Sequence, residues 1–306
     1  MFTTYRAIFS LLSGTAFLLA ASGLHGLVLP LRGQAEGFST ASLGLLGTAW
    51  AGGFVAGCYF IPRLVRKVGH IRSFSALAAS AAMIALMTGI WINETAWIVL
   101  RAGTGFAMAG AFMVIESWLN EKATNENRGR VFGLYMMVTY ASIMGGQMLV
   151  AVFDVATADL FLIVGIFFCA SVIPTAVSSA ASPQPLADVK LDVPGLYKNS
   201  PVAAVGCLLV GVANGAWGTL GAVYGARAGL ASGNVALMMS LVVLFGALAQ
   251  VPVGRASDRT DRRYVLAAAS FGAALCGLVM FLFMPRELAP ILIITGLYGG
   301  LAYTLY

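Results

Sequence analysis

Long apolar segments recur along this chain, and they limit what it can fold into. Residues 234–253 and 264–284 are two of them, and each is long enough to cross the roughly 30 Å hydrocarbon core of a bilayer as a helix. Charged residues make up only 10% of the chain, whereas soluble domains carry about 25%. The sequence therefore predicts an all-helical polytopic membrane protein, and its net charge of +6 is not evidence for nucleic-acid binding.

The apolar segments give an approximate set of membrane helices. Their predicted ranges are 7–31, 41–61, 74–92, 96–119, 131–153, 160–178, 201–226, 234–253 and 264–284, with a tenth helix beginning at Ile291. The second helix has small residues at Ala49, Gly53 and Gly57, which predict the close approach of a neighbouring backbone. The sequence stops at Tyr306 within that tenth segment. A membrane helix does not normally end on an apolar residue, because its last carbonyl groups would lie in hydrocarbon. We therefore expect about nine and a half helices here, with the second half truncated.

Two charged segments indicate an internal repeat. Residues 254–263 are predicted to form a short charged loop between two apolar runs, and residues 62–72 are predicted to form a weaker copy of this loop between two others. Aligning Arg66 with Asp258 separates the copies by about 190 residues, or about six membrane helices with their turns, as in transporters built from repeated halves. We predict a six-helix half at residues 1–178, a cytoplasmic linker at 179–200, and an incomplete second half at 201–306.

The distribution of Lys and Arg predicts the orientation. Arg32, Arg227 and Arg286 lie in the loops of one side, and Arg101 lies within a predicted helix. Every other Lys and Arg lies at the N-terminus or in the opposite loops. Because Lys and Arg concentrate in cytoplasmic loops, we expect the N-terminus, the linker and both charged segments to be cytoplasmic.

Several short motifs resemble those of the major facilitator superfamily of secondary transporters. Gly254, Asp258 and Arg259 match the family signature that follows the second and eighth helices, and Arg101 with Gly105 matches a signature of the fourth. Residues 115–118, 127–130 and 135–137 are similar to the YcaD-type branch of bacterial inner-membrane transporters. The resemblance implies a fold of two six-helix halves and a multi-pass protein of the bacterial cytoplasmic membrane.

The first charged segment departs from the family signature. Pro62 replaces its glycine and Arg66 replaces its aspartate, so a carboxylate on the cytoplasmic side must come from elsewhere, either Glu116 or Glu121. Two interpretations of Glu116 are open: it forms a salt bridge with Arg66, Lys67 or Arg130, or it takes part in proton transfer. The candidates for a cytoplasmic gate are Glu116, Arg66, Lys67, Arg130, Gly254, Asp258, Arg259 and Arg262. The fifth helix also lacks the glycine-proline motif of drug-proton antiporters.

Polar side chains inside the spans are the candidates for solute contact, because each one costs free energy unless it is paired or hydrated. They are Arg101, Gln147, Asn214, Trp217, Tyr140 and His25. Arg101 either lines the central cavity or extends to the outer interface. His25 is either a proton-responsive group, since imidazole titrates near neutral pH, or a structural histidine. The other four contribute either to solute contact or to helix packing.

The function implied is the movement of a small solute across the bilayer by alternating access, with protons as a candidate coupling ion. We expect a monomer without a cofactor. We also expect no metal, because the chain has two histidines and four cysteines without a ligand-like spacing. Two alternatives remain at this stage. One is a sensor with a transporter fold that does not transport, and the other is an intramembrane enzyme, which needs a nucleophile with a base or a metal cluster.

Overall fold

The structure is a computed structural model, and it describes residues 2–177 and 193–304. Helices account for nearly all of these residues, and the described part of the chain contains no strand. The helices are α1 (Phe2–Ala35), α2 (Thr40–Val68), α3 (His70–Ile90), α4 (Glu94–Lys122), α5 (Arg128–Met148), α6 (Asp159–Ala176), α7 (Val193–Asn199), α8 (Pro201–Arg227), α9 (Ser232–Arg259), α10 (Arg262–Phe283) and α11 (Leu288–Ala302). A 3₁₀ turn at Leu149–Ala151 follows α5. The all-helical prediction is confirmed.

The helix lengths agree with the predicted membrane spans. Within residues 2–177 and 193–304, nine helices are long and apolar enough to cross a membrane. Helix α7 has only seven residues, and α11 is apolar but only 15 residues long. Nine spans followed by a shorter apolar helix correspond to the predicted nine and a half helices.

The two charged segments are largely helical, and the prediction that they are loops was wrong. Helix α2 continues through Pro62, Arg66 and Lys67 to Val68, and α9 continues to Arg259. Lys and Arg are good helix formers, so a basic composition does not end a helix when it leaves the membrane. The first break is Gly69 alone, whose φ of 87° is a conformation that favours glycine.

The second break is held by an N-cap. The break consists of Thr260 and Asp261. Asp261 is the N-cap of α10, and its side chain accepts a 2.9 Å hydrogen bond from the backbone N–H of Arg263. Asp261 stands where the family signature has a glycine, and capping α10 is its structural role. Substituting an N-cap aspartate by alanine typically costs about 1 kcal/mol.

Cα proximity divides the chain into two compact units, Met1–Asp188 and Val189–Tyr306. In the first unit α1 packs against α5 and α6, and α3 packs against α4 and α6. In the second unit α11 packs against α9 and α10. Most of the predicted linker lies outside the described residues, and its last part forms α7.

Helices α2 and α4 form the most extensive contact of the first unit. Gly53 and Gly57 of α2 face the backbone of α4, as the small residues in the predicted second helix suggested. A Cβ at Gly53 would lie 2.7 Å from the carbonyl carbon of Ala102, and one at Gly57 would lie 2.7 Å from the carbonyl oxygen of Phe106. Gly105 meets the backbone of Trp50 in the same way. Small residues at these positions allow the two backbones to touch.

The second unit contains the corresponding crossing between α9 and α11. A Cβ at Gly299 would lie 2.7 Å from Cα of Val242, and one at Gly246 would lie 2.7 Å from Cβ of Tyr303. Gly299 follows Gly105, and Val242 follows Trp50, by about the same six-helix interval that separates the charged segments. The repeat is therefore visible in the packing as well as in the sequence.

Helix α1 is the most buried helix of the first unit. Glycines again set its distance from its neighbours. A Cβ at Gly23 would lie 2.9 Å from Cα of Ile143 on α5, and one at Gly146 of α5 would lie 2.8 Å from the carbonyl carbon of Ala20. This close packing fixes the part of α1 that carries His25 and Gly26 against its neighbours.

Candidate functional site

Arg101 is directed from α4 towards α1. It lies seven residues after Glu94, the first residue of α4, and is therefore about 10 Å along the helix. Its side chain is half-buried, and its Nη2 atom lies 3.8 Å from the position that a Cβ would occupy at Gly26. Gly26 is six residues before Arg32 on α1, or about 9 Å deeper. The guanidinium therefore lies beside a neighbouring helix inside the first unit.

Arg101 has no carboxylate within salt-bridge distance among the described residues. The acidic side chains around the first unit lie near helix ends instead. Glu36 pairs with Arg32 at 2.6 Å, and Glu94 accepts hydrogen bonds from the backbone N–H of Ser39 and the hydroxyl of Ser42. Glu116 is on the same helix as Arg101, but 15 residues, or roughly 22 Å, further along it. A permanent positive charge is thus held inside the span without a counter-charge.

His25 directly precedes Gly26 and is 1% exposed. Its ring meets Phe161 of α6 edge-on with 6.3 Å between the centroids, and the charge of Arg101 acts on it. Neither ring nitrogen has a hydrogen-bond partner in the described part of the chain. A buried polar group without a partner costs about 1–3 kcal/mol. A structural histidine would have its hydrogen bonds satisfied, and His25 does not.

Two further candidates, Tyr140 and Gln147, lie on α5. Gln147 is 8% exposed and follows Gly146, which forms the close contact with α1. Tyr140 is half-buried two turns earlier on the helix. The position of Gln147 beside this helix crossing agrees with a role in interhelical contact as well as with a role in a solute pathway.

Asn214 and Trp217 lie on α8 of the second unit, and both are half-buried. The Trp217 ring contacts Tyr298 of α11, with ring centroids 5.0 Å apart. Its Nε1–H is buried without a hydrogen-bond partner among the described residues, and the same is true of the Tyr224 hydroxyl two turns later. Polar atoms without partners recur along this part of α8, which is the pattern that a polar ligand would satisfy.

The gate candidates of the first unit lie on several helices, near the end of α2, near the end of α4 and at the start of α5. The exposed Glu116 accepts a 3.4 Å hydrogen bond from the buried phenol of Tyr135 on α5. No ion pair joins Glu116 to Arg66, Lys67 or Arg130 within residues 2–177. Lys67 and Arg130 are exposed, and Arg66 is half-buried.

The gate candidates of the second unit lie at the junction of α9 and α10. They are Gly254, Asp258, Arg259 and Arg262, and all four are exposed. No atom lies within 4 Å of the position that a Cβ would take at Gly254. Asp258 lies on the last turn of α9, among the arginines of the segment, but it forms no ion pair within residues 193–304.

Sequence reasoning missed a polar contact between α3 and α4 of the first unit. His70, the first residue of α3, is 1% exposed, and its Nε2 lies 3.2 Å from Oγ of Ser117 on α4. The signal was present in the sequence, since Gly69 marks a helix break and the next residue can face inward. Because His70 lies in the basic segment 62–72, it was interpreted as one more polar loop residue. This contact joins α3 to α4.

Among the predicted pathway residues, Arg101 and His25 lie near each other. The Arg101 guanidinium is next to Gly26, which directly follows His25 on α1. Gln147 and Tyr140 lie on a helix that also packs against α1, while Asn214 and Trp217 belong to the other unit. The described residues contain no cluster of His, Cys, Asp or Glu that could hold a metal ion. The arrangement suits the binding of a charged or polar solute within a membrane span.

Known proteins resemble this chain in sequence and in fold. Proteins named Uncharacterized MFS-type transporter YcaD from several Escherichia coli strains are 27% identical to the chain, over all of the chain and 79% of their own length. Among solved structures, an inward-facing, unoccupied bacterial homolog of the human lysosomal transporter Spinster superposes with a TM-score of 0.79 and 13% identity, covering 99% of this chain and 73% of that one. The nucleoside transporter NupG superposes with a TM-score of 0.73 and 13% identity, covering 100% of this chain and 80% of that one.

These structural similarities show a shared fold at low sequence identity, and the fold is that of transporters with repeated halves. The family model described as Major Facilitator Superfamily matches residues 11–306, which is nearly the whole chain. The multi-pass helical fold, the repeated charged segments and this match lead to one conclusion: the chain belongs to the major facilitator superfamily of membrane transporters.

Proposed function

We propose that the chain is a secondary active transporter that moves a small solute across the bacterial cytoplasmic membrane by alternating access. In this proposal residues 1–178 and 201–306 are the two moving halves, and residues 179–200 join them on the cytoplasmic side. One observation carries the proposal: Arg101 lies within a membrane span with no counter-ion among residues 2–177 and 193–304, and the nearby His25 is buried without a hydrogen-bond partner there. Ionisable groups at such depth are costly and typically mark a solute or ion pathway.

Membership of a transporter family supports this function, and the unsatisfied ring nitrogens of His25 and Trp217 support solute binding on α1 and α8. We assign Arg101 and His25 to the pathway in the first half, with Tyr140 and Gln147 on the neighbouring α5. In the second half we assign Asn214 and Trp217 of α8. Among these six residues His25 is the side chain whose reference pKa is close to neutral pH, so it is the candidate proton carrier if transport is coupled to protons.

Reconstitution tests the proposal directly. A thermal-shift screen of the purified full chain against metabolites would identify solutes that bind. Proteoliposomes containing the chain should then exchange a bound solute faster than empty liposomes do. Binding without any flux would contradict transport and would support the alternative of a sensor with the same fold. The intramembrane-enzyme alternative predicts a chemically altered solute, which mass spectrometry of the recovered solute would detect.

Neutralising the cytoplasmic carboxylates should slow transport. We propose that Asp258 and Glu116 hold the cytoplasmic ends of their halves through charge-assisted hydrogen bonds during the transport cycle. Such a bond contributes about 1.5–3 kcal/mol, so Asp258→Asn and Glu116→Gln should each lower flux roughly tenfold or more. Flux in proteoliposomes, at matched protein density, is the measurement. Glu126→Gln, in the polar loop between α4 and α5, is the matched control. Wild-type flux in both variants would show that these carboxylates only shape the loops.

The proposed orientation can be tested with reporter fusions. Fusions at Gly195 and Ser257 should report a cytoplasmic position, because the surrounding segments carry Lys and Arg. Fusions at Glu36 and Arg286 should report an external position. Paired alkaline phosphatase and fluorescent protein fusions, which are active on opposite sides of the membrane, give the readout. A cytoplasmic signal at Glu36 would overturn the orientation.

A further inference from the structure

We propose that the solute is a monoanion of the carboxylate type, and that Arg101 is its counter-ion in the first half. This inference rests on the proposed transport function and specifies its substrate class. It follows from the charges that the chain does and does not place inside its spans.

The first step is the charge of Arg101. A guanidinium stays protonated in proteins, so this side chain carries a positive charge at all times. A charge removed from water and left unpaired costs several kcal/mol. The Arg101 guanidinium lies beside Gly26 on α1, away from the acidic side chains at the outer helix ends, and has no carboxylate within reach in the described first unit.

The second step is that the described spans offer no partner for it. In the first unit the neighbouring helices α1 and α5 carry no Asp or Glu, and α6 carries only Asp159, its first residue. In the second unit α8 carries no Asp or Glu. Residues 193–304 contain three acidic side chains, and they lie at the ends of α9, α10 and α11. Among the described residues no acidic side chain lies at the depth of Arg101, and we therefore assign its counter-charge to the solute.

The third step concerns the number and shape of the negative charges. Arg101 is the one Lys or Arg that lies within a span away from its ends, as judged from residues 2–177 and 193–304. One cation balances one negative charge, whereas a dianion would carry an unbalanced charge into the span. The planar fork of a guanidinium matches the two oxygens of a carboxylate and can bind it through two parallel hydrogen bonds. The chemistry therefore selects a monocarboxylate over a phosphate ester with two charges.

The surroundings of Arg101 fit a bound carboxylate. Gly26 presents no side chain beside the guanidinium, and both Gly26 and Ser22, one turn away, are half-buried. His25 supplies an imidazole whose nitrogens lack protein partners, so its N–H is a donor that a neighbouring anion can satisfy. A neutral solute would satisfy the donors but would leave the positive charge of Arg101 unbalanced.

Matched pairs of acids and their uncharged amides test the charge requirement without any mutation. The probes are benzoate with benzamide, butyrate with butyramide, and lactate with lactamide. We expect at least one acid to raise the apparent melting temperature of the purified chain and to be taken up by proteoliposomes, and its amide to do neither. Arg101→Gln should weaken acid binding at least tenfold. Arg101→Lys, which keeps the charge, should retain the preference for the acid. Arg286→Gln removes an exposed arginine outside the spans and should bind like the wild type.

The outcomes separate this inference from the proposed function. Uptake of an amide or another neutral solute that depends on Arg101 would uphold transport and overturn the anionic substrate. Acid binding that depends on Arg101 but produces no uptake would uphold the anion site and overturn transport. Failure of all three acids to bind the wild type would overturn the inference.

Discussion

Replacing Arg101 by alanine is expected to abolish solute flux while normal amounts of protein still reach the membrane. The guanidinium faces Gly26 of α1 without a counter-ion in the first unit, and so it remains available to the solute. Removing one partner of a desolvated charge pair costs about 2–5 kcal/mol, which corresponds to at least a roughly 30-fold loss. Flux of a solute found by the thermal-shift screen, measured in proteoliposomes, is the readout.

Lysine at the same position should restore only part of the flux, because an ammonium keeps the charge but lacks the planar fork. Arg286→Ala is the matched control, since Arg286 is exposed and lies between two helices. The loss in Arg101→Ala should therefore exceed any loss in the control by an order of magnitude. If Arg101→Ala transports at the wild-type rate, Arg101 only reaches the outer interface, and the solute site has to be sought around Gln147 and Asn214.

Gly53→Ala should strongly destabilise the first unit. The added methyl group would lie 2.7 Å from the carbonyl carbon of Ala102, so the backbones of α2 and α4 would have to separate. This crossing is the most extensive helix contact of the unit, and a rigid backbone cannot move aside as a flexible side chain can. Overpacking typically costs about 1–3 kcal/mol, and we expect the upper end of that range or more because both neighbours are main chain.

The neighbouring glycine provides the control. Gly52 is exposed on the same helix, and no atom lies within 4 Å of a Cβ placed there. Gly52→Ala should therefore leave stability unchanged or raise it slightly, because alanine favours the helix by about 1 kcal/mol over glycine. The apparent melting temperature in detergent, followed by size-exclusion chromatography of heated samples, measures both variants. Equal melting temperatures for the two variants would show that α2 and α4 can separate at little cost.

Much of the fold follows from the sequence because the bilayer imposes a simple constraint. A segment of about 20 apolar residues has to form a helix wherever it packs, so counting such segments predicted the spans correctly. The small residues of the second helix also predicted a close backbone contact, which the structure locates at Gly53 and Gly57. The repeated charged segments and the motif around Arg101 indicated the transporter family before any helix contact was known.

The sequence did not reveal where the helices end. Prolines and basic residues suggested loops after the second and eighth membrane helices, yet α2 and α9 continue through them. Outside the hydrocarbon core, the end of a helix depends on single residues that set the backbone or cap it. Here those residues are Gly69 and Asp261, and the basic composition of their segments obscures them.

The contact partners of the polar residues depended on tertiary structure alone. His25 and Arg101 are 76 positions apart in the chain, on helices that the sequence does not pair. They come together because the glycines of α1, α2, α4 and α5 set how closely and in which rotation these helices pack. His70 and Ser117 likewise lie far apart in the chain, and the fold brings α3 and α4 together at their contact. By itself, the sequence determined that this chain spans the membrane as helices and which side chains are costly there. The packing of the helices decided that Arg101 lies beside Gly26 and that His25 is buried without a partner, because the rotation of each helix is set by contacts with its neighbours.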